Sequence, residues 1–346
     1  MKEDGKAKLL SVLSGELKTP PPVWLMRQAG RYLPEYQAIR AKAGSFWTMC
    51  MTPELATTIT LQPIERFGLD AAIIFSDILV VPYALGSEVS FEEGVGPRLP
   101  PVPAIDRLER DPGAWAKKLA PTYEALRSVR GKLDRSRALL GFAGAPWTLA
   151  TYMAEGGSSP DQRAAKLWGY RDPAGFATLL DVIGDCVAGH LIAQLEAGAD
   201  AVQIFDSWAS GLPPAQFAEW VVRPTKRIVE KVRQAKPAAK LIGFPRAATL
   251  EGYEIYVRQT GVDCVSLDTA TPIRWAVGEL GSRVTLQGNL DPIALVAGGK
   301  ALSAAVAEIL KATGGIPFIF NLGHGILPET PPAHVTELVA QIRGSR

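Results

Sequence analysis

HLIAQLEAGADAVQIFDSW, residues 190 to 208, is the stretch on which the fold class turns. Its first half closes a long helical pattern. Its second half, DAVQIF (200 to 205), is a short apolar run that stops at Asp206 and Ser207. A helix feeding a short apolar run is the repeating unit of a parallel sheet, whose strands are covered on both faces and need not alternate. Working outward, the same unit recurs. Upstream lie PPVWLM (21 to 26), DAAIIFS (70 to 76) and ALLGFAG (138 to 144); downstream lie KLIGF (240 to 244), CVSLD (264 to 268), VTLQG (284 to 288) and PFIFNLG (317 to 323). Helical patterns separate them, among them PELATTITLQPIERFG, PGAWAKKLAPTYEALRSVRGKL, PAQFAEWVVRPTKRIVEKVRQA, PIALVAGGKALSAAVAEILKATGG and PPAHVTELVAQIRG. Eight βα units without a linker or composition shift predict an α/β fold: a single-domain (β/α)8 TIM-type barrel over residues 1–346, with an N-terminal extension and elaborated βα loops. The Pro/Gly-rich segment 92–112 reads as one such loop. An open doubly wound sheet is the alternative, and the lack of GxGxxG after the first run argues against it.

Composition narrows the function. The 346 residues are 47% hydrophobic and 21% charged, with a net charge of +2 and both signs interspersed. That pattern carries no footprint of nucleic-acid or membrane-surface binding, so any anion site must be local. Three scattered cysteines, Cys50, Cys186 and Cys264, lack CxxC spacing and fit a reducing compartment. The N-terminal apolar core LLSVL is too short for a signal peptide, and the longest apolar run, AAIIFSDILVVPYALG, is broken by Asp77. A soluble, cytoplasmic protein is expected.

A barrel places its chemistry at the C-terminal ends of its strands. The residues there are Arg27 and Arg31; Asp77; Pro146, Trp147 and Tyr152; Asp206 and Ser207; Arg246; Asp268; Gln287 and Asn289; Asn321 and His324. Strand ends are also where polar residues first become permissible, which accounts for about half of this set. Arg27, Arg31, Asp77 and His324 stand out. Two arginine forks within WLMRQAGRY suit an anionic ligand, since each can pair a carboxylate through two bonds. Asp77 lies between apolar stretches; a helix cap is the alternative, but ILVVP is a poor helix opening, so Asp77 reads as facing a ligand. The glycines flanking His324 would let the backbone bend and approach a ligand. His190 and His334 read as structural. No His or Cys pair has metal spacing and no GxSxG appears, which points to cofactor-free chemistry.

PVWLMRQAGRYLPEY (22 to 36), FSDILVVPYALG (75 to 86), GFAGAPWTLATYMAEGG (141 to 157), IFDSWASGLPP (204 to 214) and NLGHGILPETPPAHV (321 to 335) closely resemble the uroporphyrinogen decarboxylase family, along nearly the whole chain. The resemblance implies a barrel, usually a homodimer, that removes CO2 stepwise from the four acetates of uroporphyrinogen III. The product is coproporphyrinogen III, in haem or chlorophyll biosynthesis, and no metal or organic cofactor is used. Carried over by motif, the catalytic residues are Asp77, Arg27, Tyr152 and His324. The substrate-binding residues are Arg27, Arg31, Arg40, Asp77, Tyr152, Phe205, Ser207 and His324. A pyrrole protonated at its α-carbon accepts the bonding electrons, so no pyridoxal or thiamine is required. Eight carboxylates surround four central N–H groups, which calls for a cationic rim (Arg27, Arg31, Arg40) and an anionic middle (Asp77). The proton donor stays open among Arg27, Tyr152 and His324.

Two local departures from the family pattern, FPRAATLEG (244 to 252) and the ASG turn after DSW, leave the pocket wall less defined than its floor. The nearest rival is a methyltransferase of the same superfamily, which would need a His-x-Cys and a later Cys to hold zinc. Here His324 is followed by Gly-Ile and Cys264 by Val-Ser. A non-catalytic porphyrinogen carrier would need the arginines but not Asp77.

Overall fold

The computed structural model describes residues 7–92, 96–100, 102 and 104–344. Parts of the predicted loop 92–112, and both ends of the range 1–346, lie outside the described residues. The strands are β1 (Ala71–Ile73), a hairpin of β2 (Ser90–Glu92) and β3 (Gly96–Arg98), then β4 (Ala138–Gly144), β5 (Ala201–Asp206), β6 (Leu241–Pro245), β7 (Cys264–Ser266), β8 (Thr285–Leu290) and β9 (Phe318–Leu322). Seven of them form one parallel sheet in the order β1-β4-β5-β6-β7-β8-β9. Helices join consecutive strands, giving the TIM-type barrel that the alternating pattern predicts.

The first predicted strand is the exception. Residues 21–26 make only an isolated parallel bridge, Val23 with Phe320. Pro20, Pro21 and Pro22 offer no N–H, and side chains take most of the amides that follow. Val23 N donates to Asp70 Oδ2 (2.8 Å), Leu25 N to Gln28 Oε1 (3.0 Å) and Met26 N to Asn321 Oδ1 (3.0 Å). The segment still closes the ring, because Phe320 N reaches Pro22 O on one side and Asp70 N reaches Val23 O on the other, both at 2.9 Å.

The barrel interior is packed. Helix Lys8–Leu13, from the N-terminal extension, sends Leu9, Val12 and Leu13 into a cluster with Trp24, Ile73, Leu140, Ile242, Phe244 and Ile319. Gln287 bridges this interior: Trp24 Nε1 donates to its Oε1 (2.9 Å), and its Nε2 donates to Gln203 Oε1 (3.0 Å) and Ser266 Oγ (3.1 Å). Gln287 is therefore structural rather than ligand-facing.

Local signals explain the helices. Asp111, Asp172 and Asp291 cap helices that each open on proline, and each carboxylate accepts from a first-turn N–H. Gly68, Gly156 and Gly261 end theirs in the left-handed region. The predicted helix 214–235 carries a π turn at Ala218–Val222 just before Pro224, whose missing N–H breaks the regular ladder. The predicted helix 292–315 breaks at Gly298. A helix not foreseen, Pro146–Glu155, follows β4 directly. The longest helix among the described residues is Pro173–Glu196. By length and composition alone it could cross a membrane, but it is mostly buried, packed on helices Pro112–Lys132 and Arg223–Ala235 and against β4.

Candidate active site

Arg27 leaves the end of the closing segment with φ +60°, in the left-handed region that a residue with a Cβ occupies at a cost. Its neighbours hold it there. Gln28 N donates to Leu25 O (3.0 Å), Ile326 N to Met26 O (2.9 Å), and Asn321 takes the Met26 amide. Arg27 is exposed as a residue although protein closes round its guanidinium. Burial pulls its pKa down and Asp77 and Tyr152 pull it up, while Arg246 and Arg31 push it down further.

Asp77 stands four residues beyond β1. Its Oδ1 accepts from Leu79 N (2.8 Å), and the short helix Val80–Ala84 follows, so the helix-capping alternative is partly realised despite the poor opening ILVVP. Burial raises the carboxyl pKa, while the Leu79 N–H and the Arg27 charge lower it. Tyr152 lies in the second turn of helix Pro146–Glu155 rather than on a loop. Its ring meets Trp208 edge-on at 5.8 Å. Burial raises its pKa, countered by hydrogen bonds with Trp208 and Ser158, and both Asp77 and Arg27 are near enough to act on it.

His324 sits half-buried in the β9 loop. Burial, with Arg27 and Arg246 adding to it, lowers its pKa to about 3, so the imidazole is neutral at ordinary pH. Its flanking glycines serve another purpose than the bend expected of them, since neither has a positive φ. A Cβ on Gly323 would strike the Thr269 backbone, and one on Gly325 the Arg27 stem. The loop needs glycine because its neighbours fill that space.

Arg31 and Arg40 act on the phenol of Tyr36, Arg40 also through a hydrogen bond. Arg31 acts on Arg27 as well, which places it beside the cleft. Phe205 packs edge-on to Phe142 (5.6 Å) and Phe244 (6.1 Å) at the end of β5. Ser207 follows, its carbonyl accepting from Arg246 Nη1 (3.3 Å). Arg27, Asp77, Tyr152 and His324 thus form one interacting group, with Arg31 beside it and Ser207 tied to it through Arg246. The tie of Arg40 to it runs through Tyr36.

Other strand-end residues are scaffolding. Asn289 Nδ2 donates to the carbonyls of Asp268 (3.0 Å) and Thr271 (2.8 Å). Asn321 holds Met26, and Asp268 holds the turn after β6. His190 bonds Tyr123 Oη at 3.0 Å and His334 meets the Leu295 carbonyl at 3.0 Å, both structural as expected. Two side chains near the site escaped the sequence: Trp208, under Tyr152, and Thr148, whose Oγ1 contacts Asp206 Oδ1 (2.5 Å) and accepts from Trp208 N (3.2 Å). Arg246 was noticed only as a strand end, and its position after β6 was the available signal.

The chain matches the family model described as uroporphyrinogen decarboxylase over residues 4–345. This chain belongs to the uroporphyrinogen decarboxylase family. Proteins named uroporphyrinogen decarboxylase from Chelativorans sp. (strain BNC1) and Rhodospirillum rubrum are 53% and 49% identical to it, over 98% and 97% of both chains. Among solved structures, a methyltransferase from Methanosarcina mazei superposes with TM-score 0.81 at 22% identity, over 98% of each chain. That likeness shows the barrel alone. Cys264 is buried in β7, and among the described residues no group of three or more His, Cys, Asp or Glu is placed to hold a metal.

Proposed function

We propose that the chain decarboxylates uroporphyrinogen III stepwise to coproporphyrinogen III, with Asp77 and Arg27 at the reacting pyrrole. One observation carries the site reading. Asp77 is close enough to Arg27 and Tyr152 to act on both, while among the described residues Arg27, Arg31, Arg40 and Arg246 have no ion-pair partner. Unpaired cations around a half-buried acid complement a ligand with a ring of carboxylates and a centre of N–H donors.

In each round a proton adds to the α-carbon of the pyrrole that bears the acetate. The bond to the carboxylate breaks, its electron pair flows into the ring, and CO2 leaves. The side-chain carbon then takes a proton and the α-carbon gives one back, so one proton is consumed per CO2. Asp77 accepts the inward N–H groups and stabilises the cationic ring in a site shielded from water. Arg27 pairs the reacting acetate. In the free protein His324 is already neutral and has no imidazolium proton to give, whereas Arg27 stays charged beside the reacting acetate. Arg27 is therefore the favoured donor, directly or through water. Tyr152, Ser207 and His324 orient other carboxylates, Arg31 and Arg40 form the rim, and Phe205 offers an apolar face to the macrocycle.

The remaining proposals are that residues 1–346 act as one domain, as a homodimer in the cytoplasm, without metal or organic cofactor. Two clefts facing each other across a dimer would shelter an oxygen-sensitive substrate. Sedimentation at low micromolar concentration tests the dimer, and a monomer would remove it. The activity is tested by anaerobic turnover of freshly reduced uroporphyrinogen III in the presence of a chelator. Successive seven-, six-, five- and four-carboxylate products are expected. Tight binding with no loss of carboxylates would leave a carrier instead.

A further inference from the structure

The turn after β6 is built to aim one arginine. Arg246 N donates to Asp206 O (3.1 Å), and its Nη1 reaches over the end of β5 to Ser207 O (3.3 Å). The next residue, Ala247, has φ +57°, a left-handed conformation that a residue with a Cβ keeps only when its surroundings enforce it. Asp268 enforces it. Its carboxylate accepts from Ala247 N (2.9 Å), Tyr253 Oη (2.8 Å), Thr271 Oγ1 (3.1 Å) and Ala270 N (2.7 Å). That acid is therefore saturated by local donors and leaves Arg246 unpaired.

Arg246 is close enough to Arg27 and His324 to perturb both, which places its charge on the cleft. Arg27 follows the closing segment between β9 and β1, and Arg246 follows β6, four positions round the ring from that segment. The two arginines thus occupy different stations: Arg27 beside the central acid, Arg246 on the far wall above Ser207. Gathering like charges in a partly buried cleft is unfavourable unless a ligand neutralises them.

We infer that Arg246 clamps a propionate of the substrate, on a pyrrole other than the one reacting. This rests on the placement of the reacting pyrrole at Arg27 and Asp77. The choice of propionate follows from the reaction sequence. The acetates are consumed one by one, so an acetate clamp would lose partners as decarboxylation proceeds. The four propionates survive every round and can serve the same clamp each time the macrocycle is re-presented. A planar fork held at both its backbone and its guanidinium suits that repeated task.

The product carries propionates and no acetates, which makes the test direct. Inhibition of wild type, Arg246→Gln and Arg246→Lys by added coproporphyrinogen III is measured anaerobically, alongside KM and kcat for uroporphyrinogen III. Loss of one charge-assisted pair is expected to weaken product inhibition and raise KM by about tenfold or more in Arg246→Gln. Arg246→Lys should recover part of both, since it restores charge without the fork. Raised KM with unchanged product inhibition would overturn the propionate assignment, and unchanged values of both would remove Arg246 from the site. If Arg246→Gln unfolds, Arg246→Lys decides alone: product inhibition equal to wild type overturns the fork, and weakened inhibition sustains it. Turnover of Asp77→Asn tests the central placement separately, so failure of one reading is distinguishable from failure of the other.

Discussion

The side chain of Arg27 fills the volume that a Cβ on Gly325 would need, with Cγ and Nε each 2.8 Å from that position. The two residues come from opposite ends of the chain, and the β9 loop lies across the arginine stem. Replacing Gly325 with alanine therefore leaves the core untouched but forces the guanidinium aside. A Gly325→Ala variant is expected to keep nearly wild-type thermal stability and lose about a hundredfold in kcat/KM, the scale of a misplaced catalytic group. Unaltered kinetics would show that the position of Arg27 is not critical.

Arg27→Ala removes the same group outright. Both KM and kcat are expected to suffer, because the clamp acts on bound substrate and on the reacting acetate. A rise in KM alone would make Arg27 a binding residue and return the donor question to Tyr152.

Asp77→Asn preserves shape and the acceptor for Leu79 N but deletes the charge that the proposed reaction sets beneath the ring. Turnover should fall about a hundredfold to a thousandfold with the fold intact. Near-normal turnover would refute the central role of Asp77.

His324 makes a pH-dependent prediction. With a pKa lowered to about 3, it is neutral throughout the working range of the free protein. The kcat/KM profile of His324→Asn should therefore be lower overall but keep every ionisation that wild type shows near neutrality. Loss of one would make His324 the acid after all.

Asp206 predicts a stability trend. Burial raises its pKa from 3.8 to about 7, against the opposing bonds of Thr148. Between those values the folded chain holds a proton that the unfolded chain has released, so the contribution of this group to stability falls as pH rises through the window. Asp206→Asn lacks that penalty, and its Tm relative to wild type should increase from pH 4 toward pH 8. A pH-independent difference would contradict the raised pKa.

Much of the fold was legible because its signals are local. The run ALLGFAG coincides with β4, and Pro112 after Asp111 and Pro173 after Asp172 mark helix starts that hold in the structure. PPVWLM failed as a strand because its amides are claimed by side chains, by Gln28 three residues on and by Asp70 and Asn321 from distant parts of the chain. Tyr152 was found by motif, but the helix that carries it was missed, since PWTLATYMAE follows a strand without a break and reads as a loop. Arg246 looked like any strand-end arginine because its significance lies in what it does not pair with.

The sequence by itself determined the βα alternation and the family, since apolar periodicity, capping residues and long motif strings are properties of consecutive residues. Only the tertiary structure decided which polar strand ends face the cleft and which brace the barrel. It assigned Gln287, Asn289, Asn321 and Asp268 to bracing, held His324 neutral, and set Arg246 across from Arg27. Those outcomes depend on burial and on charges brought together from distant segments, and neither is encoded in any one stretch of chain.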